Sequence, residues 1–333
     1  MDKLDEREPR TEGSKLAAPA LAAQFFLIPL AVVAVIALFY LGFRALLTDE
    51  RTAQEYLTDI RFGGANRRWP AAYELSRLMA DPEIEKTNPL LVRGLIEAFE
   101  ESANDDPMVR RYLALALGRV NMPASPKVID VLIQALDDTD SETQINVIWA
   151  LGLLQAESAV AGFEQLYKSR DAGVRKMVVY ALGAIPAGSH SSVLETALAD
   201  VANDVRWNAA VALARHGRAE GLSVIREMLD REHLTQFVEG NVQADVDTDP
   251  VGEVMISGLQ AVAALQETSL RGRVEEIGLG DRSMRVRQAA LDALKVLEGK
   301  ASNLKLEAPE AGVIITKSNW RICSARQEGS VNG

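Results

Sequence analysis

The sequence predicts an all-α chain in which a single transmembrane helix is followed by a right-handed α-solenoid of about six to seven helical hairpins. Three observations lead to this prediction. Aromatic residues make up only 5% of the 333 residues, while alanine and leucine recur every few positions, a bias that favours close-packed helices over sheets. A long stretch near the N-terminus carries no charge. Along most of the remainder, a sequence pattern recurs at intervals of 31 to 49 residues.

The composition excludes several classes of function. With 47 acidic and 36 basic side chains the formal net charge is -11, and no basic patch is concentrated anywhere, so we expect no nucleic-acid partner. Cys323 is the single cysteine and has no second thiol for a disulfide, a zinc site or a redox pair. No serine elbow or glycine-rich phosphate loop occurs. We therefore predict no catalytic residues, no metal and no cofactor.

The first element is the apolar stretch. Residues 25–43 contain only apolar and aromatic side chains apart from a glycine and a proline, and about 20 such residues span the roughly 30 Å hydrocarbon layer of a bilayer. A helix of that length in a soluble core would show a polar face. The sequence therefore predicts a polar tail at 1–20 and a transmembrane helix at 21–47. A cleaved signal peptide is the alternative, but the apolar core is too long and lacks a small-residue cleavage site.

The orientation of this segment depends on its flanking charges. The N-terminal flank has one more basic residue than the C-terminal flank, which favours a single-pass protein of the cell membrane with its N-terminus inside and the solenoid outside the cytoplasm. A cytoplasmic solenoid stays open as the alternative. The basic residues are Lys3, Arg7, Arg10 and Lys15 on one side and Arg44, Arg51 and Arg61 on the other. Residues 48–65 are predicted as a juxtamembrane linker.

The repeats occupy residues 66–298. Three segments align almost without adjustment, each with Val-Arg followed after five residues by Ala-Leu and a small residue: 109–118, 174–183 and 205–214. A fourth copy, at 143–152, has Thr-Gln in place of Val-Arg. Weaker copies begin near residues 67, 254 and 286. The positions equivalent to Ala116 are 74, 116, 150, 181, 212, 261 and 293.

Each repeat is predicted to form a helical hairpin. A first helix rich in alanine ends near a glycine, and a second, more apolar helix follows, as at residues 126–136. Small residues on the first helix allow neighbouring hairpins to approach, and aliphatic residues on the second helix fill the shared core. Gly118, Gly152 and Gly183 stand where helices often end in a left-handed residue. Asp106 followed by Pro107 is typical of a helix start.

At this point the chain resembles the HEAT-repeat superfamily, in particular its short-repeat branch, which is named after phycobilisome bilin lyases. Residues 106–118 (DPMVRRYLALALG) and 171–183 (DAGVRKMVVYALG) carry the branch's pattern, and the likeness extends over about residues 66–298. It implies a HEAT-type α-solenoid. It implies much less about activity, since such repeats serve scaffolds, adaptors, transport factors and a few lyases.

The resemblance also implies structural roles for two recurrent charged positions. Asp106 with Arg110, and Asp171 with Arg175, are expected to be structural pairs. Gln144 replaces the arginine in the intervening repeat, so we expect any ladder of charges to be interrupted there.

Two further segments fall outside the repeat. The insertion at 233–252 carries Asp245, Asp247 and Asp249 at alternating positions, but Pro250 and Ile256 stand where a calcium-binding EF-hand loop needs glycine and glutamate. We predict a solvated acidic loop that is a candidate contact for a partner. The residues from 299 to 333 lose the period and are predicted to form a poorly ordered tail.

These elements together predict a membrane-tethered, non-catalytic scaffold or adaptor that binds a protein partner along the second helices, which we expect to line the inner curve. Two alternatives stay open: an accessory subunit of a larger membrane complex, and a bilin-lyase-like cofactor-attachment or chaperone factor. The partners expected are one or more proteins, the lipid bilayer through residues 21–47, and other subunits of a membrane complex. The predicted partner-binding residues are Arg93, Glu97, Asp130, Gln134, Gln165, Thr196 and Glu227.

Overall fold

The computed structural model describes residues 28–47, 51–104, 106–186, 188, 191–238 and 249–299. The described residues form helices joined by turns, and none of them lies in a β-strand. The chain divides into two compact units, Met1–Thr52 and Ala53–Gly333. The predicted tail at 1–20, residues 239–248 of the acidic insertion and the tail from residue 300 lie outside the described residues.

The described part of the first unit is helix α1, Ile28–Leu47. The prediction of a transmembrane helix at 21–47 is wrong, because none of the helices in the described ranges combines the length and the apolar character that crossing a bilayer requires. The uncharged part of α1, residues 28–43, would extend about 24 Å, less than the roughly 30 Å of hydrocarbon. The same finding withdraws three related predictions: the single-pass localisation, its orientation and the bilayer as a partner.

The second unit contains the repeats. Its helices are α2 (Ala53–Phe62), α3 (Ala65–Leu78), α4 (Pro82–Thr87), α5 (Leu91–Glu101), α6 (Pro107–Leu117), α7 (Pro126–Gln134), α8 (Ser141–Leu153), α9 (Val160–Leu166), α10 (Ala172–Ala184), α11 (Ser191–Ala197), α12 (Asn203–Arg215), α13 (Leu222–Met228), α14 (Arg231–Val238), α15 (Pro250–Leu265), α16 (Arg271–Gly280) and α17 (Met284–Leu297).

Two kinds of helix alternate in this unit. The alanine-rich helices are α3, α6, α8, α10, α12, α15 and α17, and each packs against the next one in that series. The companion helices are α2, α5, α7, α9, α11, α13 and α16, and each packs against the alanine-rich helix that follows it. Within the described residues the stack therefore has seven such hairpins. In each of them the companion helix comes first, the reverse of the predicted order.

The first hairpin begins earlier than the predicted repeats. Helix α2 lies within residues 48–65, which the sequence assigned to a linker, and it buries Ala53, Leu57 and Ile60 against the stack. Leu57 fits against Gly94 of α5, the next companion helix. Helix α2 is thus the companion helix of the first hairpin.

Glycine and alanine set the distance between successive alanine-rich helices. A Cβ atom added to each glycine of the Ala-Leu-Gly motif would collide with the alanine of the next helix. The pairs are Gly118 with Ala150 (2.7 Å), Gly152 with Ala181 (2.9 Å) and Gly183 with Ala212 (2.5 Å). The prediction of left-handed termini here is wrong: Gly118 has φ -66°, and the other two lie inside their helices. These glycines allow close packing of neighbouring backbones.

The same close approach has a consequence for the stack of the second unit. Glycine and alanine bring the alanine-rich helices together, whereas the companion helices present Leu, Ile, Val and Phe to the core. Smaller side chains shorten the spacing between helices. This difference favours a closer spacing on the alanine-rich side than on the companion side of the second unit.

Arginines join the hairpins through partly buried contacts. Arg110 of α6 donates from Nε to Asp138 (2.7 Å) and from Nη1 to the carbonyl oxygen of Phe99 at the end of α5 (2.7 Å). Arg175 of α10 holds Asp200 through two hydrogen bonds of 2.8 and 2.9 Å. Arg110 therefore connects α6 with the end of α5 and with the turn after α7. Arg175 connects α10 with the turns after α9 and α11, since its Nη1 also donates to the carbonyl oxygen of Ser169 at 2.9 Å.

The predicted pairing of these charges is wrong in its partners. The carboxylates of Asp106 and Asp171 accept hydrogen bonds from backbone N–H groups in the first turns of α6 and α10. The ion pairs of Arg110 and Arg175 are formed instead with aspartates 28 and 25 residues further along the chain. Helix capping and hairpin joining are thus separate roles of separate aspartates.

The ladder of ion pairs is interrupted at Gln144, as predicted. Its Nε2 still donates to the carbonyl oxygen of Leu136, 2.9 Å away, which matches the backbone contact of Arg110. One hairpin further on, the position of Asp138 and Asp200 is taken by Ser169. Both members of the charged pair are therefore missing together, and no buried charge is left without its counter-charge.

An arginine also closes the insertion. Arg231, the first residue of α14, forms two hydrogen bonds with Asp281 (both 2.8 Å) and two with Asp249 (both 3.0 Å). Asp249 in turn accepts a hydrogen bond of 2.9 Å from the N–H of Gly252 and so begins α15. The two ends of the insertion are fixed to each other and to the stack at this point.

Candidate interaction surface

The predicted partner-binding residues lie on the companion helices at equivalent positions. On α7, Val131 and Leu132 precede Gln134 and Ala135 follows it, and all three of these neighbours are buried while Gln134 is exposed. Glu97, Gln165, Thr196 and Glu227 stand at the corresponding position of their helices, each two residues after a fully buried apolar residue, as Gln134 stands after Leu132. Arg93 and Asp130 stand one turn earlier on α5 and α7. We call these seven residues the companion row.

The N-terminal end of the companion row is a network of surface ion pairs. Arg93 Nε lies 3.0 Å from Glu97 Oε1, and Arg61 Nη1 of α2 lies 3.0 Å from Glu97 Oε2. Arg61 also holds Glu101 at 2.6 Å. The hydrogen bond from Arg93 outweighs the partial desolvation of the carboxylate and lowers the pKa of Glu97. This end of the row is ordered by its own side chains.

The rest of the companion row is more open. Asp130, Gln134, Gln165 and Thr196 are exposed, and Glu227 is half-buried. Gln165 Oε1 accepts a hydrogen bond of 2.8 Å from Lys168, and Thr196 Oγ1 donates to the carbonyl oxygen of Ser192 at 2.9 Å. With one arginine against three carboxylates, the seven side chains carry a formal charge of -2.

Further ion pairs cross from one element to the next on the companion side. Lys127 of α7 lies 2.7 Å from Glu100 of α5, and Arg218 lies 2.5 Å from Glu195 of α11. All four side chains are about one third or more exposed, so water and salt screen these pairs and each adds little to stability. These ion pairs orient the side chains on the companion side more than they stabilise the fold.

A second set of side chains, which the sequence did not single out, lies on the alanine-rich helices. The rings of Tyr73 and Tyr112 meet edge to face at 5.3 Å, and Arg119 lies 5.6 Å from the ring of Trp149. Farther along, Arg215 lies 6.0 Å from the ring of Tyr180. The sequence could have identified part of this set, because one repeat separates each of Leu115, Trp149, Tyr180 and Val211 from the next. The cationic partners come from neighbouring helices and have no such period.

Metal binding finds no support in the described ranges, where no group of three or more His, Cys, Asp or Glu side chains is placed to hold an ion. Of the three aspartates in the predicted acidic loop, Asp245 and Asp247 lie outside these ranges. Asp249 is not a loop carboxylate but the start of α15, held by Arg231 at 3.0 Å.

A groove of about 310 Å³ runs between α15 and α17.

The described part of the second unit is an all-α helical repeat, a stack of helical hairpins whose alanine-rich helices meet through glycine and alanine. Residues 92–183 match the family of HEAT repeats. Comparison with curated proteins found no match.

A solved structure supports the same fold. The chain is similar to the complex of CpcE and CpcF of phycocyanin lyase from Nostoc sp. PCC7120, with a TM-score of 0.52 and 17% identity over 76% of this chain and 90% of that chain. It is also similar to a designed armadillo repeat protein, with a TM-score of 0.35 and 18% identity over 74% of this chain and 100% of that one. At 17% identity the likeness to the lyase complex shows the fold alone.

Proposed function

We propose that this protein is a non-catalytic scaffold that binds a protein partner along the companion row. One observation carries the proposal: five successive companion helices, α5 to α13, each have one polar side chain two residues after a fully buried apolar residue, and this polar side chain is exposed or half-buried in every one of them. A polar position repeated in this way presents a line of similar contact points to a partner that runs along the stack.

The chemistry of the row indicates the kind of partner. Amide, hydroxyl and carboxylate groups offer many weak contacts, and three carboxylates against one arginine favour a partner segment that carries lysine or arginine. Gln134 and Gln165 form its centre. Because amide groups both donate and accept, they suit an extended peptide backbone as well as side chains.

The experiment is site-specific photo-crosslinking in the full chain. A photo-reactive amino acid replaces Gln134 or Gln165 on the companion side, and replaces Leu153, which is 40% exposed on α8, as the control on the other side. We expect both companion positions to crosslink to the same protein and Leu153 to give a different pattern. The charge reversal Asp130→Lys should reduce that product several-fold.

Two results would count against this assignment. Equal crosslinking at Leu153 would show that the companion side is not the binding face, and the absence of a discrete product at both glutamines would remove the scaffold interpretation. The folded state of each variant is checked by its helical circular dichroism.

A second function is favoured by the fold likeness to the phycocyanin lyase complex, namely attachment of a bilin-type cofactor to a protein. This alternative predicts that the purified chain changes the absorbance of an added linear tetrapyrrole and retains the pigment on a desalting column. A scaffold of the kind proposed above leaves the pigment spectrum unchanged and the pigment unbound.

A further inference from the structure

Arg215 is a half-buried cation that has no counter-charge among the described residues. It is the last residue of α12, where the two clusters of the hydrophobic core meet. Its Nε is buried and has no hydrogen-bond partner, and no carboxylate of the described residues pairs with it. Burial lowers the pKa of its guanidinium. A buried donor without a partner loses its hydrogen bonds to water on folding, so this side chain makes the fold less stable.

Tyr180 of α10 stands opposite Arg215. Its ring is almost fully buried and lies 6.0 Å from the guanidinium carbon, and its hydroxyl forms no hydrogen bond with the described residues. Unlike Nε of Arg215, neither this hydroxyl nor the terminal nitrogens of Arg215 are buried without a partner. Both donors thus reach the surface at one place between two alanine-rich helices.

The helix end alone does not explain the arginine. A cation in the last turn of a helix is favoured by the helix dipole, but a solvated lysine would provide that charge without burying an unpaired nitrogen. The positive charge of Lys176 on α10 is already neutralised, because its ammonium group lies 3.2 Å from the carboxylate of Asp204 on α12. Within the described ranges the positive charge of Arg215 therefore remains uncompensated, which matches the single negative charge of one carboxylate.

We propose that Arg215 and Tyr180 form a binding site for one carboxylate, supplied by an aspartate or glutamate side chain of a protein partner, on the face opposite the companion row. The guanidinium donates to one or both carboxylate oxygens through its terminal nitrogens, and the phenol hydroxyl donates a further hydrogen bond. The aromatic ring beside the guanidinium holds it in place through a cation–π contact.

The test uses the full chain labelled with ¹⁵N-arginine and follows the Nε–Hε signal of Arg215, assigned by its loss in Arg215→Met. Sodium acetate is the probe, titrated against sodium chloride at constant ionic strength, with inorganic phosphate in a third series. We expect a saturable shift with acetate and none with chloride. Tyr180→Phe should weaken acetate binding about 2- to 10-fold, the effect of losing one hydrogen bond.

Three results would overturn the proposal: no saturable shift with acetate, an acetate affinity unchanged in Tyr180→Phe, or tighter binding of phosphate than of acetate. Thermal unfolding provides an independent readout. If Arg215 is kept for binding, Arg215→Met unfolds at the same temperature as the wild type or higher. A lower unfolding temperature would mean that the arginine supports the fold and would also overturn the proposal.

Discussion

At the scale of single residues, Asp140 shows how one carboxylate serves two neighbouring hairpins. Its Oδ2 accepts hydrogen bonds from the backbone N–H of Thr143 (2.9 Å) and from that residue's hydroxyl (2.7 Å), which begins α8. Arg111 of α6 binds both carboxylate oxygens, at 2.6 and 2.7 Å. Burial raises the pKa of Asp140, but the hydrogen bonds from Arg111 and Thr143 outweigh it and lower the pKa to about 2.

This shift predicts acid sensitivity. The folded pKa lies below the ordinary value of 3.8, so Asp140 contributes stability that is complete above about pH 4 and is lost as the pH falls towards 2. Between pH 6 and pH 2.5 the unfolding free energy of the wild type falls. We expect this fall to be about 1 to 2 kcal/mol smaller in Asp140→Asn, after allowance for solvent screening. Urea unfolding at the two pH values measures the difference.

A second variant separates the ion pair from the helix cap. Arg111→Met leaves the hydrogen bonds of Thr143 in place, so its pH dependence should lie between those of wild type and Asp140→Asn. Equal acid sensitivity in all three proteins would contradict the role assigned to Asp140.

At the scale of elements, the hairpin spacing depends on glycines inside or at the ends of the alanine-rich helices. Gly152→Ala puts a methyl group 2.9 Å from both the Cα and the Cβ of Ala181. Although alanine favours helix formation, overpacking of this kind costs about 1 to 3 kcal/mol. We expect Gly152→Ala to lower the unfolding free energy by that amount in urea titrations.

Gly272 of α16 is the matched control, because a Cβ atom added there meets nothing within 4 Å. Gly272→Ala should leave the unfolding free energy unchanged or raise it by up to about 1 kcal/mol. If both substitutions changed stability in the same direction, helix propensity and not helix spacing would govern the repeat.

The helices of the repeat were predictable because the Val-Arg and Ala-Leu-Gly positions recur with the spacing of one hairpin. The pairing of helices was not, since an alternating series has the same period whether a hairpin begins at α2 or at α3. The partners of Arg110 were missed for a related reason. Asp106 is four residues away and Asp138 is 28 away, and only the fold of the intervening hairpin brings the second one close.

The interaction surfaces divide in the same way. The positions of the companion row could be predicted from the repeat period alone, because Gln134, Gln165 and Thr196 are polar residues at the same exposed position of otherwise apolar helices. The contact of Tyr180 with Arg215 could not, since each residue belongs to a different hairpin and their burial depends on how closely those hairpins pack. The transmembrane prediction rested on the hydropathy of residues 21–47, whereas the described part of that stretch, Ile28–Leu47, lacks the length and apolar character that a bilayer requires.

At the scale of the whole repeat unit, α17 differs from the helices before it. The position that faces the next hairpin is fully buried in the other six alanine-rich helices, at Ala72, Ala114, Ile148, Val179, Ala210 and Leu259. In α17 it is Leu291, which is 44% exposed. Where those helices have serine, glycine or alanine for close contact, α17 has Lys295, which pairs with Asp292 at 2.6 Å.

Lys295 thus blocks the approach of another alanine-rich helix to α17. We expect Lys295→Gly to produce concentration-dependent self-association of the full chain, because α17 would then present the same small-residue face as the inner helices. Sedimentation velocity at several concentrations measures it. Lys295→Gln is the control, which removes the charge and keeps the bulk, and it should behave as the wild type does. Association of both variants would assign the effect to charge.

The double clamp of Arg231 on Asp249 and Asp281 has an evolutionary consequence. With both ends of the insertion anchored, the number of residues between them is free to change without moving α15 or α16. Each doubling of such a loop costs only about 0.6 kcal/mol of closure entropy. Relatives of this protein are therefore expected to vary in length here more than at any turn inside the hairpins, and a peptide tag inserted at this place should leave the melting temperature nearly unchanged.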